Sequence, residues 1–151
     1  MFLKRLSSSL IPDQNTLSTC HIKSMPPKVL IVDDDMVILF LHRIIIKDSG
    51  ISASPLTFEN GQEALSYLDS QVPGQDTIIF LDLNMPVMDG WELLDNLNQP
   101  PYLNHIRVIL VTSSIDPEDR QKAKKYPMVK KYIEKPLRIE TCKSVMSNPA
   151  Q

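Results

Sequence analysis

From Lys28 onward, short apolar runs alternate along the chain with segments that have the length and polarity pattern of helices. The runs are rich in β-branched side chains, which is typical of strands buried on both faces of a parallel sheet. Strands that alternate with helices favour an α/β fold in which helices cover both faces of that sheet. The five predicted strands are Val29–Val32, Ile51–Phe58, Thr77–Leu81, Ile106–Val111 and Val129–Ile133.

Five helices are predicted between and after these strands. Their starts carry polar capping residues, and Gly50 provides a stop signal after the first of them. Pro55 lies within the second predicted strand and favours an edge position for it, since proline cannot donate a ladder hydrogen bond. The predicted helices run from Met36 to about Asp48, begin after Asn60, Asp89 and Asp116, and end with Leu137–Met146.

The composition is that of an ordinary globular protein. The chain has 151 residues and a net charge of −2, which predicts one domain and argues against nucleic-acid binding through overall charge. Cys20 and Cys142 are too few for a disulfide framework and fit a reducing compartment, so we expect a cytoplasmic location. No apolar run reaches the length of a membrane span, so we expect no membrane partner.

Residues 1–25 differ in composition from the rest of the chain. They are rich in serine and threonine and lack the continuous apolar segment of a signal peptide. We expect a flexible leader over residues 1–25, a folded domain over 26–148 and a tail over 149–151. Met25 is an alternative start of the chain.

Chemically active side chains follow the predicted strands directly. Asp33-Asp34-Asp35 come after the first run, Asp82 after the third, Thr112 after the fourth and Lys135 after the fifth. In open parallel sheets, ligands bind beyond the carboxyl ends of the strands, at the point where the strand order reverses. We therefore expect a cluster of carboxylates with one hydroxyl and one lysine at that edge of the sheet.

The cluster is unsuited to a nucleotide and suited to a hard cation. A dinucleotide site needs a glycine-rich loop after the first strand, and this chain has three aspartates there. Neighbouring carboxylates repel one another and raise the pKa of one of them unless a cation joins them. Mg²⁺ favours such oxygen ligands and leaves positions open for a phosphoryl group, to which Lys135 adds a second positive charge. This pattern indicates phosphoryl transfer with Asp82 as the nucleophile.

Four blocks of sequence carry a specific resemblance. They are Val29–Asp35, Phe80–Gly90 with its Asp-Leu-Asn-Met-Pro-Val-Met-Asp-Gly stretch, Val111–Ser113 and Tyr132–Pro136. In this order and spacing, from about Lys28 to Met146, they resemble the receiver domain of two-component response regulators of the stand-alone, chemotaxis-regulator-like kind. The resemblance implies a single flavodoxin-like domain with a doubly wound, five-stranded parallel sheet and five helices.

The resemblance also implies roles for the acidic residues. Asp82 is expected to be the phosphoacceptor. Asp34 is expected to bind Mg²⁺ directly and Asp33 mainly through water, and the backbone carbonyl of Asn84 would complete the metal shell. Asp35 is expected to cap the first helix, although the triple aspartate leaves it as an outside candidate for the metal site.

The remaining implied roles concern the signalling switch. Thr112 would hydrogen-bond the phosphoryl oxygen and move towards it on activation, and Tyr132 would turn inward as the aromatic switch residue. Lys135 would neutralise the phosphoryl charge. The Lys135–Pro136 peptide bond is expected to be cis, as is usual in the family.

A basic region stands out in this weakly acidic chain. From Arg120 to Lys135 the sequence holds seven basic residues and one acidic residue, Glu134. One interpretation is a solvated helix face. The other is an output face that docks an acidic partner, with binding that weakens as salt rises. The candidate output residues are Lys124, Lys125, Lys130 and Lys131.

The predicted function follows from the resemblance. A sensor histidine kinase or a histidine phosphotransfer protein would phosphorylate Asp82, and the resulting conformational change would signal to a protein effector. The sequence ends at Gln151, so we expect output through that partner, with no direct nucleic-acid contact and no enzymatic activity beyond the protein's own phosphorylation and dephosphorylation. The alternatives are a non-phosphorylated receiver-like binding module and a metal-dependent phosphatase of the haloacid dehalogenase type. The phosphatase motif requires an aspartate where this chain has Asn84.

Overall fold

The structure is a computed structural model that describes residues 25–147. Apart from Met25, the leader expected over residues 1–25 lies outside the described residues. The tail expected over residues 149–151 also lies outside them.

Five strands and five helices alternate along the described chain. The strands are β1 (Lys28–Val32), β2 (Leu56–Phe58), β3 (Thr77–Leu81), β4 (Ile106–Thr112) and β5 (Val129–Glu134). The helices are α1 (Met36–Asp48), α2 (Gly61–Asp69), α3 (Gly90–Leu97), α4 (Pro117–Ala123) and α5 (Ile139–Ser147). Helix starts lie where the capping residues predicted them, with Asn60, Asp89 and Asp116 each accepting a backbone N–H of the first turn.

The strands form one parallel sheet in the order β2-β1-β3-β4-β5. This order is flavodoxin-like, and the strand order reverses between β1 and β3. The predicted α/β fold with a doubly wound, five-stranded sheet in a single domain is therefore confirmed. The crevice at the reversal lies beyond the last residues of β1 and β3, where Asp33 and Asp82 follow.

Each face of the sheet is covered by its own apolar core. Alternate residues of β1 point to opposite faces, so Val29 and Ile31 pack with α1 and α5, whereas Leu30 and Val32 pack with α2, α3 and α4. All five residues of β3 are buried, as the continuous apolar run predicted. The sheet is thus fixed from both sides, and the loops at its carboxyl edge are left to form a site.

The second strand is shorter than its predicted span of 51–58. Only Leu56–Phe58 pairs with β1. Pro55 lacks a backbone N–H, and the N–H of Ser54 donates to the hydroxyl of Ser52 at 3.2 Å instead of entering a ladder. The prediction of an edge position for this strand is confirmed, and its predicted length was wrong.

Candidate functional site

The carboxyl ends of four strands bring the predicted side chains together. Asp33 follows β1 and Asp82 follows the neighbouring β3, and both are buried, with 2% and 6% of their surface exposed. Thr112 is the fully buried last residue of β4, and Lys135 comes directly after β5. The N–H of Lys135 donates to the carbonyl of Thr112 at 2.9 Å, which fixes these two residues side by side.

Three carboxylates meet in this crevice. Asp33, Asp34 and Asp82 each offer an oxygen atom, and these atoms lie within 4.8 Å of one another. Hard divalent cations such as Mg²⁺ take this all-oxygen donor set. The side chain of Asp35 lies elsewhere, because its carboxylate accepts the N–H groups of Val37 at 2.8 Å and Ile38 at 3.4 Å. Asp35 therefore caps α1, as predicted.

Lys135 is the cation of the described site. Its ammonium lies 2.7 Å from Oδ2 of Asp33 and 3.6 Å from Oδ2 of Asp82. The other oxygen of Asp82 accepts the N–H of Leu83 at 2.9 Å, so its two carboxylate oxygens have different partners. The Lys135–Pro136 bond is cis, as expected.

The buried position of Asp82 changes the pKa of its carboxyl group. Burial raises its pKa from 3.8 to about 6, with the negative charge of Asp33 adding to that rise and the ammonium of Lys135 opposing it. One lysine does not balance three carboxylates. The site as folded therefore has an excess of negative charge, which a bound cation would relieve.

The two predicted switch residues, Thr112 at the end of β4 and Tyr132 in β5, both contact Ser114 in the loop that follows β4. Oγ1 of Thr112 accepts the N–H of Ser114 at 3.2 Å, and the hydroxyl of Tyr132 donates to the carbonyl of Ser114 at 3.3 Å. Tyr132 is half-buried, and the guanidinium of Arg120 lies 4.7 Å from the centre of its ring. The loop that follows β4 thus links the hydroxyl at the site to the aromatic ring beside α4.

Two features of this region were not predicted. The hydroxyl of Ser114 donates to Asp119 at 2.5 Å, which ties the loop to α4, and the stacking of Arg120 on Tyr132 joins α4 to β5. No sequence pattern identifies these contacts, because they depend on how α4 sits on the sheet. Asn84, two residues after Asp82, has an exposed side chain.

His42 is also part of the surroundings of the site. It lies on the inner face of α1 between Leu39 and Ile46 and is 4% exposed. Burial lowers its pKa from 6.5 to about 4, while the charge of Asp33 partly opposes this and that of Lys135 adds to it. Its spacing from two buried apolar residues was a signal of this burial.

We expect His42→Gln to weaken the acid sensitivity of the fold. The folded-state pKa lies below the unfolded value, so neutral His42 contributes stability above pH 6.5 that is lost as pH falls towards 4. Between pH 7 and pH 4.5, the free energy of unfolding of wild type should fall by about 2–3 kcal/mol more than that of the variant. Urea titrations at both pH values measure this, with His105→Gln as the control, since the His105 imidazole is partly exposed and lies 3.5 Å from Asp76 at the surface. Equal changes in the two variants would contradict the prediction.

Three of the four predicted output residues line a groove between α4 and β5. Arg120, Lys124, Lys130 and Lys131 are among its lining residues, together with Tyr132, and its volume is about 410 Å³. Some of these cations have internal partners, since Lys131 donates to the hydroxyl of Ser144 at 2.7 Å. Lys125 is exposed and lies outside this groove, just after the end of α4 and beside Gln121 and Lys122. The basic residues thus form one surface that begins beside Tyr132.

None of the helices described between residues 25 and 147 is both long and apolar enough to cross a membrane. The longest is α1, with 13 residues.

Comparisons with known proteins agree with the fold. The family model described as the response regulator receiver domain matches residues 29–146. Response regulator Rcp1 of Synechocystis sp. is 33% identical over 102 residues, which cover 64% of this chain and 69% of that protein. The polar-differentiation response regulator DivK of Brucella anthropi is 31% identical over 128 residues, which cover 82% of this chain and 99% of that protein.

Solved structures give the same result. A two-component response regulator from Cytophaga hutchinsonii has a TM-score of 0.70 and 32% sequence identity, with 81% of this chain and 95% of that chain covered. The match to the family model runs from β1 to α5, so it includes the loops that carry the carboxylates. The chain therefore belongs to the response regulator receiver domain family of two-component signalling.

Proposed function

We infer that this chain accepts a phosphoryl group on Asp82 from a sensor histidine kinase or a histidine phosphotransfer protein. The observation that carries this proposal is the position of Oδ2 of Asp82, which lies among two other carboxylates and 3.6 Å from the ammonium of Lys135. A carboxylate nucleophile needs positive charge beside it before it can approach an anionic phosphoryl group.

The residues present fit a bound Mg²⁺. Asp33, Asp34 and Asp82 supply three oxygen donors within 4.8 Å of one another, and the backbone carbonyl of Asn84 would add a fourth. When bound, the ion would neutralise the carboxylates and bind a phosphoryl oxygen. Burial raises the pKa of Asp82 to about 6, and a bound cation would offset this cost of holding the carboxylate charged.

The transfer step is a displacement at phosphorus. An oxygen of Asp82 attacks the phosphorus of a phosphohistidine, so a P–O bond forms while the P–N bond breaks and its electron pair stays on the imidazole nitrogen. Lys135 stabilises the charge on the transferred group. The acyl phosphate so formed is later hydrolysed by water, which restores the carboxylate of Asp82.

Signalling then follows from a shift between two conformations. Oγ1 of Thr112 now accepts the N–H of Ser114, and a phosphoryl group on Asp82 would offer the Thr112 hydroxyl a charged acceptor for its own proton. Movement of Thr112 would free the loop to which Tyr132 is bonded and allow its ring to turn inward. The effector would read this change at the basic surface of Lys124, Lys125, Lys130 and Lys131, in the cytoplasm.

Intact mass spectrometry after incubation with acetyl phosphate tests the proposal. With Mg²⁺, wild type should gain one phosphoryl group, and without Mg²⁺ the gain should be at least about tenfold smaller. Asp82→Asn should gain none, whereas Asp48→Asn, a change in an exposed carboxylate at the far end of α1, should behave as wild type.

Two results would contradict the proposal. A full gain in Asp82→Asn would move the acceptor to another residue. Absence of any gain in wild type, together with absence of Mg²⁺ binding by titration calorimetry, would favour the alternative of a receiver-like binding module that is not phosphorylated.

A further inference from the structure

A pocket opens at the edge of the sheet where β3 and β4 begin, at the opposite end of the strands from Asp82. It lies between the end of α2, the loop before β3 and the loop before β4, and its volume is about 270 Å³. The buried side chains of Leu68 and Ile106 are part of its lining, and so is Val72, which is 82% exposed. Because a cavity of about 150 Å³ admits a benzene ring, this pocket has room for an aliphatic side chain.

The charges at this pocket favour a basic occupant. Asp69 lines the pocket as the last residue of α2, and that helix has no basic residue in its last turn to offset the negative end of its dipole. Asp76 adds a second carboxylate, whose Oδ1 lies 3.5 Å from Nδ1 of the lining residue His105. The described residues that line the pocket include neither lysine nor arginine.

Two basic side chains lie near the pocket without changing this balance. The ammonium of Lys28 is bonded to the side-chain oxygen of the lining residue Gln71. Arg107 follows Ile106 in β4, so its side chain lies on the opposite face of the sheet. Two carboxylates and the end of α2 therefore face the pocket against the one ammonium of Lys28.

The described part of the chain begins beside this pocket. The side-chain N–H of the lining residue Gln75 donates to the carbonyl of Pro26 at 3.5 Å. The N–H of Lys28 donates to the carbonyl of Asp76 at 2.9 Å, which holds the start of β1 against the loop before β3. An extended chain advances about 3.5 Å per residue, so Ile22, four residues before Pro26, reaches up to about 14 Å from it. The residues just before Met25 are therefore within reach of the pocket.

The chemistry of these residues complements the pocket. The segment 17–24 reads Leu-Ser-Thr-Cys-His-Ile-Lys-Ser, with the aliphatic Ile22 next to the basic Lys23 and no acidic residue. Over residues 1–24, three lysine and arginine residues stand against one acidic residue. An aliphatic side chain suits the apolar part of the lining, and the ammonium beside it suits the carboxylates at the rim.

We propose that residues 17–24 of this chain bind in this pocket, with the side chain of Ile22 inserted beside Leu68 and Ile106 and the ammonium of Lys23 beside Asp76. The short connection to β1 makes the binding intramolecular, which is equivalent to a ligand concentration in the millimolar range. A separate peptide of the same chemistry must reach a comparable concentration to compete. The segment of the chain itself is therefore the favoured occupant.

Amide hydrogen exchange followed by NMR on the full chain tests the proposal. The protection factors of the Ile22 and Lys23 amides should be at least about tenfold higher in wild type than in Ile22→Glu, since the variant would have to place a carboxylate in an apolar pocket with an acidic rim. Ile22→Glu should also shift the amide resonances of the lining residues Gly74 and His105. Ile11→Glu, the same change farther from Met25, should leave the protection and both resonances as they are in wild type.

An exchange of charges tests the pairing of Lys23 with Asp76. Lys23→Asp and Asp76→Lys should each lower the protection of the Ile22 amide by at least about threefold, and the double variant should return it to within about twofold of wild type. These differences should shrink as salt rises. Glu118→Lys, the same kind of charge change in the first turn of α4, should behave as wild type does.

Three outcomes would overturn the proposal. They are a wild type whose Ile22 and Lys23 amides are unprotected, an Ile11→Glu variant that shifts the pocket resonances as much as Ile22→Glu does, and a double charge variant that is no better protected than the single ones. An unprotected wild type would assign the pocket to a separate basic peptide. The phosphorylation of Asp82 is not needed for any of these readouts, so failure of this proposal is distinct from failure of the proposed function.

Discussion

Asp82→Asn is expected to raise the free energy of unfolding of the metal-free protein by about 3 kcal/mol at pH 7. The folded-state pKa of Asp82, about 6, lies above its ordinary value of 3.8, so folding favours the protonated carboxyl. The stabilisation from this proton is fully present below pH 3.8 and is lost as pH rises through 6. About two pKa units correspond to about 3 kcal/mol.

The asparagine side chain avoids this cost. It carries no charge beside Asp33 and Asp34, and its carbonyl oxygen can still accept the N–H of Leu83. Lys135 keeps its closer partner, Asp33, at 2.7 Å. If Asp82 is the phosphoacceptor proposed above, the sequence favours function over stability at this position.

Urea unfolding in the presence of a chelator measures the difference between wild type and Asp82→Asn. The difference should shrink below pH 6, where wild type takes up the proton, and also on addition of Mg²⁺, which would stabilise wild type more than the variant. Asp48→Asn, the control in an exposed carboxylate, should change little. A variant less stable than wild type at pH 7 without metal would show that burial and repulsion do not govern Asp82.

Much of the fold and the site could be predicted because the relevant signals are local. A buried parallel strand reads as a short apolar run, and the residue that follows it must lie at the carboxyl edge of the sheet. Asp33, Asp82, Thr112 and Lys135 were therefore identified from their positions alone, and the structure brings their side chains together. The family resemblance added the roles expected for Asp34 and Tyr132, whereas Asp35 was expected to cap α1 from its position before the helix.

The parts that were missed depend on packing between distant segments. The contact of Ser114 with Asp119 and the stacking of Arg120 on Tyr132 require the orientation of α4, which no local pattern fixes. The α1 sequence is apolar almost throughout, so its helix was predicted but its exposed face was not. The predicted second strand began at Ile51, but β2 begins only after Pro55, which has no backbone N–H to donate to the ladder.

Gly90→Ala is expected to destabilise the fold by about 3–4 kcal/mol and to impair phosphoryl acceptance. A Cβ on Gly90 would lie 2.5 Å from the carbonyl oxygen of Asp82 and 2.8 Å from Cα of Leu83. Both contacts are with backbone atoms, which cannot rotate away as a side chain can. Relief therefore requires the start of α3 to move away from the end of β3.

That movement would disturb the acceptor itself. The N–H of Gly90 donates to the carbonyl of Leu83 at 2.9 Å, and the N–H of Leu83 in turn holds Oδ1 of Asp82. Displacing α3 thus shifts the groups that orient the carboxylate, and the rate of phosphorylation by acetyl phosphate should fall at least about tenfold.

Gly50→Ala separates steric contact from backbone conformation. Gly50 has a φ of +82° and no atom within 4 Å of an added Cβ, so alanine there costs about 1 kcal/mol through the left-handed conformation alone. Urea unfolding and phosphorylation rates on both variants decide the matter. If Gly90→Ala lost no more stability than Gly50→Ala, the approach of α3 to the β3 end would be adjustable. If it lost stability yet kept the wild-type rate, Asp82 would be oriented without help from this contact.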